Sequence, residues 1–123
     1  MVANISRADL KNRIEAARQG GAPIVLLEAL PAKYYDHRHL PGALNMPHDA
    51  VDNLAPTLVP DRTSEIVVYC ASAACKNSGI AAACLKALGY SRVRTYDEGK
   101  ADWIAADLPM EAGAAAAAAS RST

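Results

Sequence analysis

The chain has 123 residues, enough for one domain around one core. Its 13 basic and 13 acidic residues cancel, which leaves no electrostatic case for nucleic acid or an anionic membrane as a partner. No run approaches the roughly 18 apolar residues of a membrane span, the opening MVANISRADLKNR is too polar for a secretion signal, and three cysteines, an odd number, suit a reducing compartment, so a cytoplasmic protein is expected.

Alanine inflates the apolar fraction of 51% and phenylalanine is absent, so Leu, Ile and Val must build the core. Ser6 precedes Leu10, Ile14 and Ala17 at helical spacing, and Gly20-Gly21 ends that first helix. Pro23 opens the apolar run Ile24 to Leu27, which reads as a strand covered on both faces. A helical turn is expected over Pro31 to His37 with Tyr34 and Tyr35 facing the core, then a turn at Pro41-Gly42 and a short strand over Ala43 to Met46.

A weaker helix around Ala50 to Leu54 and a polar turn at Pro60-Asp61-Arg62 lead to the strand Ile66 to Tyr69. The pattern predicts a helix over Ser78 to Leu88 stopped by Gly89, a strand over Val93 to Tyr96, a turn at Asp97-Glu98-Gly99, and a last helix carrying Trp103, Ile104 and Ala105. Strands alternating with helices predict an α/β fold, a mostly parallel sheet with helices on both faces. From Gly113 the chain reads GAAAAAASRST, so the expected organisation is a domain over 1–112 and an alanine-rich disordered tail over 113–123.

The stretch VVYCASAACKNS carries the chemistry. Ligands gather at the carboxyl ends of parallel strands, and Cys70 stands at such an end with a helix starting near Ser78. Unpaired N–H groups, the positive end of the helix dipole and Lys76 are all expected to lower its pKa and supply thiolate. Ala71, Ser72, Ala73 and Ala74 are small enough for backbone amides to converge as an anion cradle. The loop alone also allows a small buried cysteine that merely closes the strand.

The order of strand, Cys70 loop, Ser78 helix, Gly89-Tyr90, strand, Gly99 and Trp103 resembles the rhodanese-like (sulfurtransferase) family. L26-L-E-A-L-P-A-K-Y-Y-D-H-R-H-L-P-G-A-L-N-M-P47 is similar to that family's first signature, an acidic strand end followed by His-Ile/Leu-Pro-Gly-Ala. Y96-D-E-G-K-A-D-W103 is similar to its Gly-Gly-x-x-x-Trp signature. The matches extend over residues 6 to 110.

The resemblance implies a five-stranded, mostly parallel sheet flanked by helices, with Cys70 as the nucleophile that becomes a persulfide between a sulfur donor and an acceptor. It implies that the amides of Ala71 to Lys76, Cys75 included, stabilise the persulfide and the anionic donor, that Lys76 attracts thiosulfate or a similar oxyanion, and that no cofactor or metal is needed. The partners it implies are a small anionic sulfur donor, a thiophilic acceptor and a sulfur-relay protein.

The chain departs from the family pattern in three ways: Glu28 and Leu30 stand where many members carry Asp-x-Arg, Glu98 replaces the first glycine of the C-terminal pair, and the loop to Ser78 is about two residues longer. C70-A-S-A-A-C-K76 also has the Cys-x5-Arg spacing of cysteine phosphatases and arsenate reductases, but with lysine where those enzymes use the planar fork of arginine. A non-catalytic sulfur-carrier or interaction module is the other alternative.

Cys75 has two open readings, a redox partner that resolves or bonds Cys70, or a loop residue without chemistry. Cys84 falls with Ile80, Ala81 and Leu88 on one helix face and is expected to be buried. His37, His39 and His48 lack metal-ligand spacing, His39 is expected to pack in the Pro41-Gly42 turn, and Trp103 to anchor the last helix. Lys33, Arg38 and Arg62 receive no role.

Overall fold

The computed structural model describes residues 2–113. Its elements in chain order are β1 (Ala3–Asn4), α1 (Arg7–Arg18), β2 (Val25–Glu28), α2 (Ala32–His37), β3 (Leu44–Asn45), α3 (Val51–Leu58), β4 (Ile66–Tyr69), α4 (Asn77–Ala87), β5 (Val93–Tyr96) and α5 (Gly99–Ala105). All strand pairs are parallel and the sheet order is β1-β5-β4-β2-β3. This is the expected five-stranded α/β arrangement.

The two apolar strands at the sheet centre, β2 and β4, are covered on both sides, as their unbroken hydrophobic runs require. Leu27, Ile66, Val68 and Val93 face one way and pack under α3 and α4 through Val51, Ala55, Ala81, Ala82 and Leu85. Leu26, Val67, Tyr69 and Tyr96 face the other way and meet Leu10, Ile14, Tyr35 and Trp103. Alternate residues of each strand thus feed two separate cores.

Helix starts follow local chemistry. Ser6 caps α1 by accepting from the Asp9 N–H at 3.1 Å. Gly89, with φ +97°, ends α4 in the left-handed region where glycine carries no Cβ penalty. Trp103 anchors α5: its ring meets Tyr96 edge-on at 6.2 Å and its Nε1 donates to the Pro109 carbonyl at 2.8 Å. His39 packs beside the Pro41-Gly42 turn, stacked on Tyr35 with ring centroids 3.8 Å apart.

Several expectations need correction. Tyr35 is buried but Tyr34 is 48% exposed, because consecutive residues of a helical turn point about 100° apart and only one can face the core. For the same reason the buried face of α4 is Ser78, Ala81, Ala82 and Leu85; Cys84 is half-buried at its edge, with Sγ 3.4 Å from Asp52 Oδ1, and Ile80 is 51% exposed. The α3 helix runs past Leu54 and through Pro56, held by Val51, Ala55 and Val59 in the core. Of the expected tail over 113–123, residues 114–123 lie outside the described residues. Among the described residues no helix is long and apolar enough to cross a membrane.

Trp103 is nearly fully buried, so Trp103→Ala is expected to lower the unfolding free energy by about 4 kcal/mol, measured by urea denaturation.

Candidate active site

The register aligns the last residues of the strands in one row: Glu28 pairs with Asn45 on one side and Tyr69 on the other, and Tyr69 pairs with Tyr96. Cys70 is the next residue after this row, at the carboxyl edge of the sheet. Its side chain is 1% exposed. Cys70 Sγ lies 3.7 Å from Ser78 Oγ and 3.9 Å from the Ser72 carbonyl oxygen, so the thiol sits between the loop and the first turn of α4.

The loop's course is set by a turn in which the Cys75 N–H donates to the Ser72 carbonyl at 3.0 Å. The turn points Ala73 and Ala74 to solvent and folds Cys75 back. The Ser72 carbonyl that accepts the Cys75 N–H is also the one 3.9 Å from Cys70 Sγ. The Cys75 thiol and the Ser78 amide and hydroxyl act on Cys70, and the Ala71 and Asn77 amides act on Cys75. No group of the described residues accepts from the N–H groups of Ala73, Ala74 or Lys76. Of the amides expected to converge, those three are open to a ligand, Cys75's is used in the turn, and Ala71's is aimed at the second sulfur.

Thiol acidity also differs from expectation. Burial pushes the Cys70 thiol up, and the Cys75 thiol adds to that, while the Ser78 amide and hydroxyl oppose both without reversing them. Burial acts on Cys75 in the same direction, but the Cys70 thiol and the Asn77 and Ala71 amides outweigh it and bring Cys75 down. The lowered pKa expected at Cys70 is therefore not found: burial raises its thiol instead. Lys76 is an exposed residue at the start of α4.

Behind the loop stands a buried network that the sequence did not foretell. Glu28 is fully buried and receives the Tyr69 hydroxyl at 2.8 Å and Lys100 Nζ at 2.9 Å. Lys100 also donates to the carbonyls of Tyr34 and Arg38, and Tyr69 accepts the Leu40 N–H at 3.0 Å. Burial pushes the Glu28 carboxyl up, against the pull of Lys100 and Tyr69, and the same burial together with Glu28 keeps the Tyr69 phenol protonated as a donor. Only Glu28 was marked by sequence, and its cation comes from 72 positions away. Lys33 lies over the Tyr34 ring, and Arg62 lies over the Tyr90 ring and donates to the Leu88 carbonyl, so neither approaches as a donor to this row.

The first turn of α5 clamps the loop. The Lys100 and Ala101 N–H groups donate to the carbonyls of Cys70 and Ala71, each at 2.8 Å. Contact this close requires Gly99, whose φ is +72° and where a Cβ would stand 2.7 Å from the Cys70 oxygen and 2.8 Å from the Ser72 nitrogen. Glu98, by contrast, has φ −65°, which any residue adopts. Losing the first glycine of the family pair therefore leaves the turn intact.

Fold and site together define a parallel α/β domain that presents a cysteine on a loop between a central strand and a helix. The rhodanese-like domain model matches residues 6–106, and the chain belongs to that family. It is 33% identical over 110 residues to the HTH-type transcriptional regulator Rv0324 of Mycobacterium tuberculosis, a match covering 89% of this chain. The chain spans only 45% of that curated relative's length. The Alr3790 protein from Anabaena superimposes with TM-score 0.75 at 26% identity, covering 89% of this chain and 80% of that one. Thiosulfate sulfurtransferase from Pseudomonas aeruginosa shares the fold with TM-score 0.78 at 22% identity, covering 91% of this chain and 20% of that one.

Two substitutions test the scaffold. Gly99→Ala is expected to destabilise the domain by about 2 kcal/mol or more in urea titration. Lys100→Met leaves Glu28 buried without its cation and is expected to cost about 3 kcal/mol near pH 8. A carboxyl with a raised folded pKa favours the native state when protonated, so this cost should shrink toward about pH 5; a cost independent of pH would contradict the pairing.

Proposed function

We propose that this domain is a sulfurtransferase that carries sulfane sulfur from a donor such as thiosulfate to a thiophilic acceptor through a persulfide on Cys70. The observation that carries the reading is the position of Cys70 after the central strand, facing the Ser78 amide and hydroxyl, with the N–H groups of Ala73, Ala74 and Lys76 open beside it. Membership of the rhodanese-like family supports it.

In the first half-reaction the Cys70 thiolate attacks the outer sulfur of thiosulfate. A sulfur–sulfur bond forms to Cys70, the donor's own sulfur–sulfur bond breaks, and sulfite leaves with the electron pair. The three open amides and exposed Lys76 suit the sulfonate end of the donor. In the second half, an acceptor thiolate, cyanide or a sulfur-relay protein attacks the terminal sulfur and regenerates Cys70. The buried resting thiol must lose its proton first, so transfer should quicken as pH rises.

A second reading, a non-catalytic sulfur-carrier or interaction module, draws on the buried, protonated resting state of Cys70 and on the relative that is a transcriptional regulator. On that reading Cys70 carries sulfur or none, and no acceptor turns over. Phosphate-ester or arsenate chemistry has weaker support, because an exposed lysine stands where a planar guanidinium would clasp the oxyanion.

With cyanide present as the acceptor throughout, thiosulfate or glutathione persulfide should yield thiocyanate at a rate that increases through the alkaline range, and Cys70→Ser should abolish thiocyanate formation. Thiocyanate formation unaffected by Cys70→Ser, or none with either donor, would refute the enzyme reading.

A further inference from the structure

The second sulfur of the loop occupies a place that the sulfurtransferase reading does not use. Cys75 is turned back by its own N–H bond to the Ser72 carbonyl at 3.0 Å, and Cys70 Sγ lies 3.9 Å from that same carbonyl oxygen.

We infer that Cys75 discharges the Cys70 persulfide from within the loop, releasing its sulfane sulfur as hydrosulfide and leaving a Cys70–Cys75 disulfide. This rests on the reading that Cys70 takes up sulfane sulfur, and it specifies the fate of that sulfur when no external acceptor intervenes. The Cys75 thiolate attacks Cys70 Sγ, a Cys70–Cys75 bond forms, the bond between Cys70 Sγ and the terminal sulfur breaks, and HS⁻ departs with that electron pair. The sulfane sulfur is reduced by two electrons and the two cysteines together are oxidised by two. An external dithiol then reduces the disulfide and restores both thiols.

Three features favour attack at the inner sulfur. Both cysteines border the Ser72 carbonyl, which accepts the Cys75 N–H at 3.0 Å and stands 3.9 Å from Cys70 Sγ, so one tight turn holds the attacking residue beside its target. The Ala71 and Asn77 amides favour the Cys75 thiolate. The third cysteine, Cys84, is engaged with Asp52 on α3 and takes no part. The domain would then have two outlets: transfer of the terminal sulfur to an acceptor, or reductive release as sulfide coupled to a dithiol.

The test loads wild type, Cys75→Ala and Cys75→Ser without oxygen or reductant, using whichever of thiosulfate and glutathione persulfide modifies Cys75→Ala. Wild type is expected to lose about 2 Da, with peptide mapping joining residues 70 and 75, and to release about one sulfide per chain. The Cys75 variants should instead hold an adduct of about 32 Da and release less than about a tenth as much sulfide. Retention of the adduct by wild type without sulfide would overturn the inference while leaving sulfur uptake standing. So would an adduct mapped to Cys75, since the terminal sulfur would then have been passed on intact. Absence of an adduct from both variants, with no sulfide from wild type, would overturn uptake and discharge together.

Discussion

Glu28 ends β2 with its side chain fully removed from water, and a carboxylate is kept there only because two donors reach it. Tyr69 arrives from the neighbouring strand because the parallel register sets it directly opposite. Lys100 arrives from the first turn of α5. Each donor also holds a neighbouring segment. Tyr69 receives the Leu40 N–H before the Pro41-Gly42 turn, and Lys100 holds the carbonyls of Tyr34 and Arg38 at α2. One buried charge thus ties β2, β4, α2, α5 and the β2–β3 connection at the edge where Cys70 emerges. The backbone of Lys100 completes the link by holding the Cys70 carbonyl.

A rigid edge of this kind suits a loop made almost entirely of small residues. Alanine side chains cannot pack the loop into place, so its shape comes from the backbone: the Ser72–Cys75 turn, the α5 amides on Cys70 and Ala71, and the absence of a Cβ at Gly99. The same shape buries the Cys70 sulfur and folds Cys75 back to the Ser72 carbonyl beside it. Burial penalises the Cys70 thiolate more than the Ser78 amide and hydroxyl favour it, so the resting thiol keeps its proton.

Much of the fold was legible in the sequence, for identifiable reasons. The runs Ile24 to Leu27 and Ile66 to Tyr69 read as strands because both faces of a central parallel strand are apolar, and Ser6 and Gly89 marked helix ends through capping chemistry. The edge strand β1, only Ala3–Asn4, carried no such signal, because two residues cannot display a period. Cys70 was legible from its place after a strand and before a helix. Its acidity was not, because the sign of the shift depends on burial, and a sequence showing small residues around a thiol does not reveal how far the loop folds over it. The inward course of Cys75 depends on one turn hydrogen bond and was equally invisible.

The departures from the family signatures gain a physical account when placed in three dimensions. Glu98 stands where a glycine is usual, yet its backbone is ordinary; the positive φ and the close approach both fall on Gly99, which is retained. Leu30 stands where an arginine is usual and is itself buried, so this chain has no cation two residues after its strand-end carboxylate. The charge beside Glu28 comes instead from Lys100, inside the C-terminal signature. Lysine in place of a fixed guanidinium gives a flexible stem with three donors, and all three find acceptors here: Glu28 and the carbonyls of Tyr34 and Arg38. Moving the cation to α5 makes the helix that clamps the cysteine loop also the one that neutralises the buried carboxylate. Loop position and charge balance at the sheet edge are therefore coupled in this chain through a single side chain.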